Sequence, residues 1–290
     1  MGKSLRQILS LSFNQIRDWF TSPRILVALA LGIVFTYVDV ANFMKYVDMT
    51  KENVQIFEPY IYLMSNYGSF SFILLGFILL ISDAPFVSQR SLYSVIRCTR
   101  KRWVSGMMFY ILLSALLYFG IVLLASMAFV ATNAYMADIW SAPMYSLAAY
   151  QPQGAQDIGV AFPYLGILRV LSPAAAGFQT LALNVLYGTM LGMLAFVINL
   201  NNRRLIGSFV AVGVHAVGWI MISEAIFSLP MFSPLYHAVF VTHAFGSMNP
   251  DMCGVGTSIY MFAVIIAILA IIGGILSKSS DFRVSAGDKQ

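Results

Sequence analysis

The stretch 82-SDAPFVSQRSLYSVIRCTRKRW-103 holds five of the chain's seventeen Lys and Arg residues. It lies between two long apolar segments of a chain that is 59% hydrophobic and only 10% charged. Soluble domains average roughly 45–50% apolar residues, and a helix needs about 20 to cross the hydrocarbon core. Several runs here reach that length. The fold class is therefore expected to be all-α, a polytopic membrane protein whose helices satisfy their own backbone groups. The alternating ten-residue segments of a membrane barrel are absent. A net charge of +5 then reads as a marker of the cytoplasmic side, not of nucleic acid. Within the stretch, Leu92, Tyr93, Val95 and Ile96 form an apolar face at helical spacing, with Arg90, Arg97 and Arg100 elsewhere on the surface. Ser82 or Asp83 suits the cap, and Pro85 the first turn. Basic charge alone is explained by topology and anionic lipid. An apolar face on a protruding segment points further, to a partner with a matching groove.

Working outward, six spans are expected at about 25–43, 60–82, 104–132, 177–199, 205–228 and 256–276. Residues 4–20, SLRQILSLSFNQIRDWF, are too polar to span. Their apolar positions recur at helical spacing, so residues 1–24 are expected to form an amphipathic helix in the membrane interface, with Trp19 near the boundary. They lack the unbroken apolar core and small-residue cleavage site of a secretory signal. With both ends inside, fourteen Lys and Arg fall on the cytoplasmic side. Only Lys45, Lys51 and Arg169 fall outside. That bias sets the expected orientation in the plasma membrane. It also places Cys98 and Cys253 on opposite sides, where they cannot pair.

The segments 134–176 and 229–255 are expected outside. The first is rich in aromatics. The second, LPMFSPLYHAVFVTHAFGSMNPDMCGV, is apolar yet broken by Pro and Gly. A short re-entrant or interface-lying hairpin between spans five and six is expected there, covered by protein.

SDAPF at 82–86, RCTRKRW at 97–103 and Gly106 opening the next span resemble the membrane subunits of ABC transporters, specifically bacterial exporter-class permeases of the type often called two. The layout of interfacial helix, six spans, loop between spans two and three, and broken insertion before the last span is similar too. In that family the loop holds a coupling helix that inserts into a cleft of the ATPase subunit. The resemblance implies that Phe86, Arg90, Leu92, Tyr93, Ile96 and Arg97 contact the ATPase. It also implies that a second permease chain completes the pathway, that ATP and Mg sit on the partner subunit, and that the cargo is a peptide, drug or lipid-like molecule.

The chain's own chemistry is sparse. MGKS at 1–4 mimics the end of a phosphate-binding loop, but the full pattern needs a glycine five residues earlier, and a strand before it. No other Gly-Lys-Ser/Thr occurs, so nucleotide hydrolysis is expected on a separate protein. Arg6 also removes a myristoylation reading. Ionisable groups within spans are functional candidates: Asp39, His215 and Glu224 either line a translocation path or serve packing and interfacial water. Asn184 and Asn199 read as interhelical ties, and Gly188/Gly192 and Ala28/Gly32 as close-contact pairs. His237 and His243 share no carboxylate at zinc-ligand spacing, so no metal or cofactor is expected. The rival classes are an ion-driven secondary transporter, which calls for internal repeats not found here, and a membrane immunity or scaffold protein without a transport cycle.

Overall fold

The computed structural model describes residues 2–82, 84, 99–160, 165–201, 206–223, 230–245 and 252–277. Apolar runs without internal proline favour long helices, and those dominate. The order is α1 (Gly2–Arg17), α2 (Pro23–Thr50), β1 (Val54–Gln55), α3 (Glu58–Ser65), α4 (Tyr67–Ile81), α5 (Arg100–Val130) and β2 (Ala134–Tyr135). It continues with α6 (Ala142–Tyr150), α7 (Gln153–Asp157), α8 (Gly166–Val170), α9 (Pro173–Asn201), α10 (Ile206–Ser223), α11 (Pro234–Ala238) and α12 (Val255–Leu276).

Among the described residues, α2, α5, α9 and α12 are long and apolar enough to cross a membrane. The α3–α4 pair passes the same test jointly, but is bent by 91° at Asn66. The continuous span expected over 60–82 is thus broken. Asn66 causes the turn by capping α4: its side-chain oxygen accepts from the N–H groups of Gly68 (3.0 Å) and Ser69 (3.5 Å), satisfying donors that a new helix start leaves free. The apolar helix α10 is shorter than the other candidates.

A purely helical chain was expected; the structure adds a two-residue parallel pairing, Val54 with Ala134 and Gln55 with Tyr135. It ties the loop after α2 to the loop after α5. The described part of 134–176 is built mainly of short helices. Within 229–255, where a re-entrant or interface-lying hairpin is expected, the described part shows two 3-10 turns, Pro230–Phe232 and Phe240–Thr242, flanking α11.

Helix α9 is the hub, buried over most of its length, whereas α12 leaves most of its surface open. At the opposite side of the bundle, α2 and α4 close on the Tyr118 side chain of α5. Tyr118 donates to the Ile73 carbonyl oxygen at 2.8 Å. Glycines at 32 and 76 make the notch: a Cβ at Gly32 would stand 2.7 Å from the Tyr118 oxygen, and at Gly76 nearer still. The pair Gly188/Gly192 on α9 likewise receives Phe119 and Ile111 of α5. These small residues serve contacts within this chain.

Helix α1 packs on the start of α5, where Ser12 donates to the Gly106 carbonyl oxygen at 2.7 Å. Trp19, expected near the membrane boundary, packs into the protein. It is buried and donates from Nε1 to the Tyr110 hydroxyl at 2.9 Å. The neighbouring Phe20 is exposed instead.

Gly32→Leu is expected to lower stability by about 1–3 kcal/mol through overpacking against Tyr118, and Tyr118→Phe by about 1 kcal/mol through one lost hydrogen bond. Thermal unfolding in detergent reads both; a Gly32→Leu protein as stable as wild type would refute the notch.

Candidate functional site

Two groups of polar side chains lie at opposite ends of the bundle. One end gathers the start of α2, the end of α4, the starts of α5 and α10, and the end of α9. Arg24 of α2 donates to the Ser82 hydroxyl at 2.9 Å. Ser208 of α10 donates to the Ser82 carbonyl oxygen at 3.3 Å. Asn199 of α9 donates to the Ala84 carbonyl oxygen and accepts from the Gly207 N–H, both at 2.8 Å. On the other side of the basic stretch, Arg102 donates to Gln7 of α1 at 3.1 Å, and Trp103 is buried. Both feet of the 85–98 segment are therefore held by side chains from other helices. Phe86, Arg90, Leu92, Tyr93, Ile96 and Arg97, as well as Cys98 and Glu224, lie outside the described residues.

The opposite end is a crown of short elements. Its central acid, which the sequence reading did not single out, is Glu58, fully buried at the start of α3. It accepts from the Ser141 N–H (2.7 Å), the Ser141 hydroxyl (2.5 Å) and the Gln55 N–H (3.2 Å). One carboxyl thus closes two chain breaks, after β1 and before α6. Burial pushes this carboxyl up to about 7, against hydrogen bonds from Ser141 and Gln55 that act the other way. The sequence signal was weak: a Glu-Pro at a helix start looks like ordinary N-terminal charge.

In the same crown, Ser233 donates to the Gly218 carbonyl oxygen at 3.1 Å, docking the last insertion on α10. Thr242 and Tyr236 exchange side-chain bonds to each other's carbonyl oxygens at 2.6 and 2.8 Å. That brace fixes His237 and His243 six residues apart on one inner face. The backbone N–H of Ala244 donates to the Cys253 carbonyl oxygen at 3.0 Å, bringing a half-buried cysteine to the same point. Ligating atoms of His237, His243 and Cys253 all lie within 4.8 Å of one another. Ser258, on the first turn of α12, completes the cluster. Both imidazoles are held below the usual histidine range, chiefly by burial. Sequence spacing gives little sign of this cluster, because Cys253 lies ten residues beyond His243.

The remaining candidates lie apart. His215 of α10 is buried, with Nδ1 at 3.0 Å from the Tyr187 hydroxyl and Nε2 at 2.8 Å from the Ser71 hydroxyl. Both its nitrogens are used between α9, α10 and α4. Asp39 lies on α2 beside Tyr62 and Ser69, and its Oδ2 is buried without a hydrogen-bond partner. Asn184 donates to the Tyr60 hydroxyl at 3.1 Å.

Compared with family models, curated proteins and solved structures, this chain matches none.

Glu58→Ala leaves two buried N–H donors without a partner, at about 1–3 kcal/mol each; Glu58→Gln, which keeps one acceptor, is expected to lose less. A folded-state value raised above the unfolded one favours the protonated fold. Its contribution is therefore full below about 4.5 and lost as pH rises through about 7. Melting temperature is expected to fall over that window in wild type and to fall less in Glu58→Gln. Equal pH slopes for the two proteins would show that Glu58 does not titrate there.

Proposed function

We propose that this chain is the membrane-spanning permease subunit of an ABC-type exporter, driven by a separate ATP-hydrolysing subunit that binds ATP and Mg. In this reading α2, α4, α5, α9, α10 and α12 are the six spans, and they alternate in direction. Helix α3 lies flat at the outer rim. With 15 residues, α4 covers about 22 Å, a mismatch that local bilayer thinning absorbs. The termini and the basic 83–103 loop face the cytoplasm of a plasma-membrane protein, and α1 lies along the inner surface beside anionic lipid.

The observation that carries the reading is the mooring of that loop. A ligand or partner shifts a conformational equilibrium only through contacts that differ between states, and force applied to a loose loop is lost in the loop. Here Arg24, Asn199 and Ser208 fasten one foot to α2, α9 and α10, while Gln7 and Ser12 fasten the start of α5 to α1. A push on 85–98 is thereby delivered to the ends of five helices. Phe86, Arg90, Leu92, Tyr93, Ile96 and Arg97 are the proposed ATPase contacts. A second permease chain, identical or similar, completes the pathway for a peptide, drug or lipid-like cargo. Asp39 and Glu224 are then candidates for its outer mouth, and His215 for its wall.

Leu92→Asp with Arg97→Glu is expected to abolish co-purification of the ATPase encoded with the chain while leaving the permease folded. Asn199→Ala, which loosens one foot, is expected to keep the complex but lower its vanadate-sensitive ATP hydrolysis severalfold under cargo stimulation. Undiminished co-purification by the double variant would overturn the docking assignment.

A further inference from the structure

Two imidazole nitrogens of the crown cluster converge on one hydroxyl. Each histidine uses one nitrogen to repair the backbone of a 3-10 turn. His237 Nε2 lies 2.7 Å from the Met231 carbonyl oxygen, and His243 Nδ1 lies 2.9 Å from the Phe240 carbonyl oxygen. A carbonyl oxygen can only accept, so both of those nitrogens carry the proton. In the neutral rings the other two, His237 Nδ1 and His243 Nε2, are lone-pair nitrogens. They converge on one point, at 2.8 and 2.7 Å from the Ser258 hydroxyl. Ser258 has one proton and can donate to only one of them. Cys253 Sγ stands 3.6 Å from His237 Nδ1 and 3.5 Å from Ser258 Oγ.

This is the inner and outer arrangement that metal-binding histidines show: one ring nitrogen on the ion, the other donating to a backbone carbonyl that fixes tautomer and orientation. The spacing agrees. Zinc binds His nitrogen at about 2.0–2.1 Å and Cys sulfur at about 2.3 Å, so a tetrahedral centre sets the two about 3.6 Å apart. That is the His237–Cys253 separation. The Ser258 hydroxyl lies between the same nitrogens and gives its one proton to one of them, close to the place an ion would take. On binding, the side chain must turn aside or supply a fourth, oxygen ligand. Nothing anionic other than the thiolate is needed. Two imidazoles and one thiolate select a borderline or soft cation over Mg or Ca, which prefer all-oxygen shells.

We infer that His237 Nδ1, His243 Nε2 and Cys253 Sγ form a binding site for a thiophilic transition-metal ion of the Zn(II) or Cu(I) kind, with the fourth position left to Ser258 or water. The ion staples the two ends of the last insertion: His237 and His243 lie on its first arm, and Cys253 on its return to α12. The site stands on its own geometry and is independent of the transport reading.

Chelator-stripped full-length chain in detergent, titrated with Co(II) as the spectroscopic stand-in for Zn(II), tests the inference. The expected result is saturation at one ion per chain, with strong tetrahedral visible bands and a near-ultraviolet thiolate-to-cobalt band. Cys253→Ser removes the near-ultraviolet band, and His243→Ala weakens binding by more than the roughly 10–100-fold that outer ligands control. Ser258→Ala keeps the band. A parallel competition of Cu(I) against a colorimetric chelator identifies the softer ion, if wild type retains copper and Cys253→Ser does not. In a Cys98→Ser background, Zn(II) or Cu(I) is expected to slow alkylation of Cys253 at least tenfold, a readout that needs no ligand variant to fold. Failure of wild type to hold either ion above the level of His237→Ala overturns the site. So does unchanged alkylation, or a cobalt band that survives loss of Cys253.

Discussion

The constraint on which the structure depends is that a chain this apolar has little water available to finish its broken helices. Every interruption frees backbone groups, and in hydrocarbon each must find a partner within the protein. Polar side chains act as those repairs. Asn66 closes the bend between α3 and α4. Asn199 bridges the end of α9 to the start of α10 and to Ala84. Glu58 serves both Gln55 and Ser141. Tyr118, by contrast, braces an intact helix, and does so by filling a glycine notch between α2 and α4. Removing any repair exposes a specific donor or acceptor, so the loss is local and attributable.

How much of this can be read from the sequence follows from the range of the interaction. The long helices were legible, because apolar runs of that length have few other outcomes. The amphipathic period of α1 was legible too, but not the partner of the nearby Trp19, which is claimed by Tyr110, ninety-one residues away. The bend at Asn66 has a local signal, Asn-Tyr-Gly inside an apolar run, that a window-averaged hydropathy smooths over. Glu58 pairs with a residue 83 positions on, and nothing near it in sequence announces that. The His237, His243 and Cys253 cluster is hidden from spacing rules for a related reason. His237 sits in the short helix α11, His243 follows a separate 3-10 turn, and Cys253 arrives through a backbone contact at Ala244.

The two ends of the bundle are finished in different ways, and that difference frames the functional account. At one end, hydrogen bonds fasten the roots of a strongly basic segment to α1, α2, α9 and α10. At the other, short helices, a two-residue strand pair and a buried carboxyl knit the loops into a cap. On the proposed reading the first end receives mechanical input and the second frames the outlet. A cap stapled at His237, His243 and Cys253 would move as one piece with α12 when the bundle rearranges.

That division assigns the basic end to the cytoplasm, and the native thiol of Cys98 reports on it directly. With Cys253 replaced by serine, a membrane-impermeant maleimide should label Cys98 in inside-out vesicles and leave it untouched in intact cells. Labelling of Cys98 in intact cells would put the moored segment on the outer face, beyond the reach of any ATPase, and would contradict the account.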